Sequence, residues 1–89
     1  MTLLEAVNSR MTECRHTSPA NSVPFHMLQT ASKFEVAQVA AMSIKAQKAD
    51  LRRAKSLLGK GNAYAAKCYL RAWKIERKNY ALLMQILAK

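Results

Sequence analysis

The residues of this chain that could do chemistry are its lysines and arginines, which crowd the stretch "AKSLLGKGNAYAAKCYLRAWKIER" at positions 54–77. Glu76 is the one acid in that stretch. Closely spaced cations with so few anions favour contact with a polyanion, whether nucleic acid, an anionic lipid surface or an acidic protein segment. The predicted contact residues are Lys45, Lys48, Arg52, Arg53, Lys55, Lys60, Lys67, Arg71 and Lys74.

The positive charge is concentrated in the later part of the chain. The formal net charge is +10, from 15 basic and 5 acidic residues. Positions 1–30 sum to zero, whereas positions 31–89 carry 13 basic residues against three acids. A helix that only needs to stay soluble normally mixes both signs. We therefore interpret the surplus as a functional, polyanion-binding surface rather than a solvating one.

No catalytic arrangement is visible among the potential nucleophiles and carboxylates. The five carboxylates are scattered, and no nucleophile is paired by motif with a histidine. The segment "GKGN" contains a Gly-Lys pair but lacks the spacing and the preceding strand of a nucleotide-binding loop. We expect a protein that is not an enzyme and that uses no cofactor.

The cysteines and histidines are too far apart to predict a metal site. Cys14, His16 and His26 are near one another in sequence, but only the distant Cys68 could complete the four ligands that zinc requires. We expect no metal. The two cysteines form no CxxC motif, and reduced thiols in an intracellular protein are the simplest interpretation.

The elements that must position the cations are two long helices. No internal proline or glycine interrupts positions from about 25 to 59 or from 62 to 89. Between them, Gly59 or Gly61 can adopt the left-handed conformation that ends a helix, and Asn62 can cap the next one. A connection so short requires antiparallel helices. The predicted fold class is all-α, a long antiparallel helical hairpin.

Apolar residues recur at alternating three- and four-residue intervals in both long helices, as in a coiled-coil seam. In the second long helix Arg77 interrupts this pattern. The residues predicted to hold the hairpin together are Ile44, Leu51, Leu58, Leu70, Trp73 and Tyr80.

The first 30 residues are predicted to form a short amphipathic helix and a loop. Thr2 and Glu5 have the spacing of a capping box at the start of the helix. Pro19 and Pro24 place a loop after it, with Ser22 as a possible cap for the helix that follows. This divides the chain into an N-terminal segment, 1–30, and a basic hairpin, 31–89.

The corner resembles the junction between the first two helices of the ESCRT-III family, the charged multivesicular body proteins. That junction combines Ala-basic and Leu-basic pairs with a Leu pair and a glycine, followed by further basic residues and a glutamate. The matching residues here are Ala54-Lys55, Leu57-Leu58, Gly61, Ala66-Lys67, Leu70-Arg71, Lys74 and Glu76. The resemblance covers about positions 36–89. It implies a basic hairpin that binds acidic membranes and stacks side by side into filaments that remodel them.

The leading functional hypothesis is therefore a non-enzymatic, ESCRT-III-like hairpin that binds anionic membranes and assembles with homologous subunits in membrane remodelling and vesicle trafficking. The expected location is cytoplasmic, peripheral to an endosomal or other membrane, because no long apolar run predicts a signal peptide or a membrane span.

Two alternatives use the same cations. One is a small basic helical protein that binds nucleic acid, such as a regulatory or phage-type factor, with Tyr64 as a stacking residue. The other is an adaptor or inhibitor that docks on an acidic protein partner.

Overall fold

The computed structural model describes residues 1–14 and 18–89. Over these ranges the chain is all-α, with three α-helices, two short 3-10 helices and no strand, which confirms the predicted fold class. The α-helices are α1 (Leu3–Glu13), α2 (Lys33–Gly59) and α3 (Ala63–Leu87). The 3-10 helices, Ala20–Ser22 and Phe25–Gln29, lie in the connection between α1 and α2.

The start of α1 is fixed by the predicted capping box. The Glu5 backbone N–H donates to the Thr2 hydroxyl (3.1 Å), and the Thr2 N–H donates to the Glu5 carboxylate (3.3 Å). The side-chain and then the backbone hydrogen bond of Thr2 lower the pKa of Glu5 below its ordinary value. Leu3 and Val7, one turn apart on α1, are buried, so this helix packs on its own domain.

The long helix α2 begins eight residues later than predicted. The Ser32 hydroxyl caps it by accepting the Glu35 N–H (3.2 Å), whereas the Ser22 hydroxyl instead donates to the Ser18 carbonyl (2.7 Å). Met27 and Leu28 of the 3-10 helix Phe25–Gln29 pack against the core. This long-range packing favours a short 3-10 helix over the α-helix that local propensity predicts for the segment.

The turn between α2 and α3 is a Schellman motif built on Gly61. Gly61 has a φ of 78°, and the N–H groups of Gly61 and Asn62 donate to the carbonyls of Leu58 (3.0 Å) and Leu57 (2.8 Å). The Asn62 side chain then caps α3 by accepting the Ala65 N–H (3.2 Å). Of the two candidate glycines, Gly61 is the left-handed one, and Gly59 is the last residue of α2.

A single hydrophobic core joins α1 and the connection to the end of the hairpin far from the turn. Its buried members come from α1, the connection, α2 and α3, and they are Leu3, Val7, Ala20, Val23, Val36, Val39, Ala40 and Leu83. Burial of such side chains supplies most of the favourable free energy of folding. The N-terminal segment and the hairpin therefore share one core.

The predicted hairpin-packing residues differ in burial. Ile44, Leu51, Leu70, Trp73 and Tyr80 are half-buried. Leu58 is 53% exposed, so less than half of its surface is available for packing within the hairpin.

Several of the fully buried residues of α2 and α3 are small. Ala54 and Ala66 are buried near the turn, and Ser43 is buried farther along α2. Where the α3 pattern was interrupted by Arg77, the neighbouring Glu76 is buried instead and Arg77 is exposed.

Candidate anionic-surface interface

Four basic residues form one row along α2. Lys45, Lys48, Arg52 and Lys55 are separated by three, four and three positions, the spacing that returns a side chain to the same side of an α-helix. All four are exposed. We call this set the α2 row, and the sequence predicted each member.

A second row runs along α3. Lys67, Arg71, Lys74 and Lys78 are separated by four, three and four positions, and all are exposed. The first three were predicted from the sequence as contact residues, and Lys78 was not. The signal was the spacing itself, because a step of four from Lys74 continues the pattern. We call this set the α3 row.

The hairpin has a covered face, which carries α1 and the connection, and an open face on the opposite side. On α2, Ala46 and Arg53 line a cleft of about 730 Å³ together with Pro19 of the connection, so they point towards the covered face. Residues two positions apart on an α-helix are roughly 200° apart around its axis. Ile44 and Leu51, each two positions before one of these residues, therefore lie on the open face.

The cleft-lining residues of α3 likewise show which of its sides belongs to the open face. Cys68 and Ala72 line the cleft, and Leu70 is two positions from both. Trp73, three positions after Leu70 and four after the cleft-lining Tyr69, lies at the border between the two faces. Arg77, seven positions after Leu70, shares the side of Leu70. The guanidinium of Arg77 lies over the Trp73 ring, 5.3 Å from its centroid.

Four lysines border the open face. Each of them follows a cleft-lining residue by two positions and therefore points away from the cleft. They come equally from the α2 row and the α3 row. We call them the rim, and they are Lys48, Lys55, Lys67 and Lys74.

All five acidic residues lie on the covered side of the hairpin. Glu5 and Glu13 belong to α1, and Glu35 accepts a hydrogen bond from the Leu3 N–H (3.3 Å) at the start of α1. Asp50 lines the cleft, and Glu76 accepts the Ala20 N–H of the connection. Among the described residues, no salt bridge joins a cation of either row or of the rim to a carboxylate, so these cations keep their charge available for an external anion.

Glu76, noted in the sequence as an isolated acid and as part of the ESCRT-III resemblance, fixes the connection to the hairpin. It is fully buried, and its two carboxylate oxygens accept the backbone N–H groups of Ala20 (2.8 Å) and Asn21 (3.1 Å). These are the first N–H groups of a 3-10 helix, which need an acceptor from outside that helix. Asn79 adds a side-chain hydrogen bond to Asn21 (3.0 Å).

Arg53 pairs with Asp50 instead of joining the α2 row. Within the described residues the one salt bridge joins these two side chains, with 3.7 Å between nitrogen and oxygen. Burial raises the pKa of Asp50, and the charge of Arg53 partly opposes this shift. Arg53 also lies over the Tyr69 ring, 5.8 Å from its centroid. Arg53 therefore belongs to the covered face, apart from both rows, and its contact with an anionic surface stays a prediction.

Two other predicted residues lie near the turn. Lys60 is exposed and caps the end of α2 through its backbone, so it is outside both rows. Tyr64, the proposed stacking residue, is 81% exposed and lines the cleft on the covered side. A stacking contact at Tyr64 would therefore lie on the side of the hairpin that faces away from the rim.

Two further sequence predictions concern metals and membranes. In the part of the chain that the structure describes, no three histidine, cysteine or acidic residues stand close enough to share a metal ion; His16 lies outside that part. None of the described helices combines the length and the apolar character needed to cross a bilayer.

Comparison with known proteins found no matching family model, no matching curated protein and no matching solved structure.

Proposed function

We propose that this protein is a non-enzymatic hairpin that docks on anionic membrane surfaces through its two basic rows. The observation that carries the proposal is the separation of charge: every carboxylate is on the covered side, and eight exposed cations follow the outer sides of α2 and α3. A cation near an anionic bilayer contributes about 1 kcal/mol to binding. Several such contacts together give stable, salt-sensitive attachment.

The proposal extends to assembly. The corner at positions 54–76 resembles the ESCRT-III junction, and the structure forms a hairpin turn at that point. We propose that copies of the hairpin lie side by side on the membrane and take part in remodelling it. A lipid surface would favour such assembly because its anionic headgroups neutralise the repulsion between subunits of net charge +10.

The lipid surface is preferred over nucleic acid because of the composition of the open face. Between the rim lysines that face carries aliphatic side chains, including Leu58, which is 53% exposed. The phosphates of a nucleic acid would pair with the rim lysines. Its bases, however, stack on aromatic side chains and offer no apolar surface for exposed leucines, whereas a bilayer offers acyl chains.

Vesicle flotation tests the proposal. Full-length protein should float with phosphatidylserine-rich vesicles, remain behind with neutral phosphatidylcholine vesicles, and detach as salt rises. Lys48→Gln combined with Lys74→Gln should weaken binding by about 2 kcal/mol, roughly thirtyfold.

The matched control removes the same charge from the covered side, through Arg53→Gln combined with Arg10→Gln. Arg10 belongs to α1, and its guanidinium donates to the Ser22 carbonyl (3.4 Å). This variant has the same net charge, so it should bind much more tightly than the rim variant. Equal recovery of the native protein on neutral and anionic vesicles would refute the proposal. Retention on DNA or RNA at physiological salt, without vesicle binding, would replace it with nucleic-acid binding.

A further inference from the structure

The open face carries a strip of apolar side chains along its centre. Leu51 and Leu58 are one heptad apart on α2, and Leu70 and Trp73 are one turn apart on α3. Ile44 and Met84 continue the strip towards the end of the hairpin far from the turn. Leu58 and Met84 are 53% and 42% exposed, and the other four are half-buried. We call these six residues the apolar strip.

The apolar strip remains uncovered because α1 and the connection pack on the other side of the hairpin. None of its members belongs to the hydrophobic core, and none lines a described cleft. A contiguous apolar surface with a polar border is typical of a site that contacts a partner or a membrane.

The charges around the apolar strip identify its occupant. The rim places two lysines on each side of the strip, and the open face has no acid. A second copy of the chain would present the same cations and be repelled. The interface of an anionic bilayer provides both kinds of contact, with headgroup phosphates and carboxylates for the lysines and the start of the acyl chains for the apolar residues.

Trp73 is well suited to the boundary between headgroups and acyl chains. Tryptophan concentrates at membrane–water interfaces, where its ring contacts acyl chains and its polar edge contacts headgroups. Arg77, which lies over the ring at 5.3 Å, would reach the headgroup phosphates from the same side of α3.

We infer that the open face is the membrane-contacting face, and that Leu51, Leu58, Leu70 and Trp73 insert at the boundary between headgroups and acyl chains. The covered face then points away from the bilayer. This inference rests on the proposed function and adds insertion and orientation to electrostatic attachment.

Trp73 is the single tryptophan of the chain, so its fluorescence reports on one position, at the border of the open face. With phosphatidylserine-rich vesicles its emission should shift to shorter wavelength. Lipids brominated near the start of the acyl chain should quench it. A soluble quencher such as iodide should lose access to the ring. The whole native chain is used, since α1 completes the core.

Leu58 and Ile75 are both exposed and apolar, so substitutions at these two positions give a matched test of which face contacts the membrane. Leu58 is on the open face, whereas Ile75, which is 46% exposed, is on the outer side of α3 away from the apolar strip. Leu58→Gln should lower vesicle binding about three- to tenfold, because its contact with the acyl boundary is lost. Ile75→Gln should leave vesicle binding unchanged. Far-UV circular dichroism checks that both variants remain folded.

The outcomes separate insertion from attachment. Flotation without a wavelength shift or quenching would overturn the insertion and leave the electrostatic proposal standing. Equal losses of binding for Leu58→Gln and Ile75→Gln would also overturn the orientation. No flotation with anionic vesicles would overturn the proposed function, and this inference with it.

Discussion

Replacing Glu76 by glutamine tests whether a buried carboxylate holds the connection on the hairpin. The substitution keeps the size of the side chain but removes its charge and exchanges one acceptor oxygen for an amide NH2. Native Glu76 accepts the Ala20 N–H at 2.8 Å and the Asn21 N–H at 3.1 Å. A glutamine can accept one of these two bonds with its carbonyl oxygen but turns a donor towards the other N–H.

The magnitude follows from those two hydrogen bonds. A hydrogen bond to a charged acceptor contributes about 1.5–3 kcal/mol, and an unpaired buried donor costs about 1–3 kcal/mol. We therefore expect Glu76→Gln to lower the free energy of unfolding by about 2 kcal/mol. In a domain of this size that corresponds to a decrease in Tm of about 10 °C. Glu76→Ala should cost more, since both donors lose their acceptor.

Urea unfolding followed by far-UV circular dichroism measures the change, and amide hydrogen exchange locates it. The Ala20 and Asn21 amides should exchange faster in Glu76→Gln, whereas amides near the turn should not. Lys78→Gln, an exposed substitution two positions away, is the control and should stay within about 0.5 kcal/mol of the native protein. If Glu76→Gln matches that control, or if the two amides keep their protection, the capping role of Glu76 is wrong.

Three further predictions concern local features. Thr2→Ala should cost about 1 kcal/mol by removing the cap of α1, and the pKa of Glu5 should rise back towards 4.5 in an NMR titration. Asp50→Asn should raise Tm at neutral pH, because burial raises the folded-state pKa of Asp50 and so penalises its charged form. Thermal melts at a series of pH values should show this gain in Tm disappearing as the pH falls to 3.8, the ordinary pKa of an aspartate. Gly61→Ala should cost about 1–2 kcal/mol in urea unfolding because its φ is 78°, whereas Gly59→Ala, with space for the added Cβ, should stabilise α2 by roughly 0.5–1 kcal/mol.

The local sequence was sufficient to predict the hairpin and its caps. Thr2, Gly61 and Asn62 act through hydrogen bonds to residues within five positions, so their roles depend only on neighbouring residues. The α2 row was likewise predictable, because helical spacing alone places its members on one side. The start of α2 was not, since the packing of Phe25–Gln29 on the core overrides the helical propensity of that segment.

The sequence by itself determined two antiparallel basic helices joined at Gly61 and capped at Asn62, because periodicity and capping are local properties of a chain. Only the tertiary structure decided which side of the hairpin α1 and the connection cover. That choice buries Glu76, pairs Arg53 with Asp50, and leaves the rim and the apolar strip uncovered. Neighbours such as Arg52 and Arg53 are equivalent in sequence, and long-range packing against α1 and the connection makes them different.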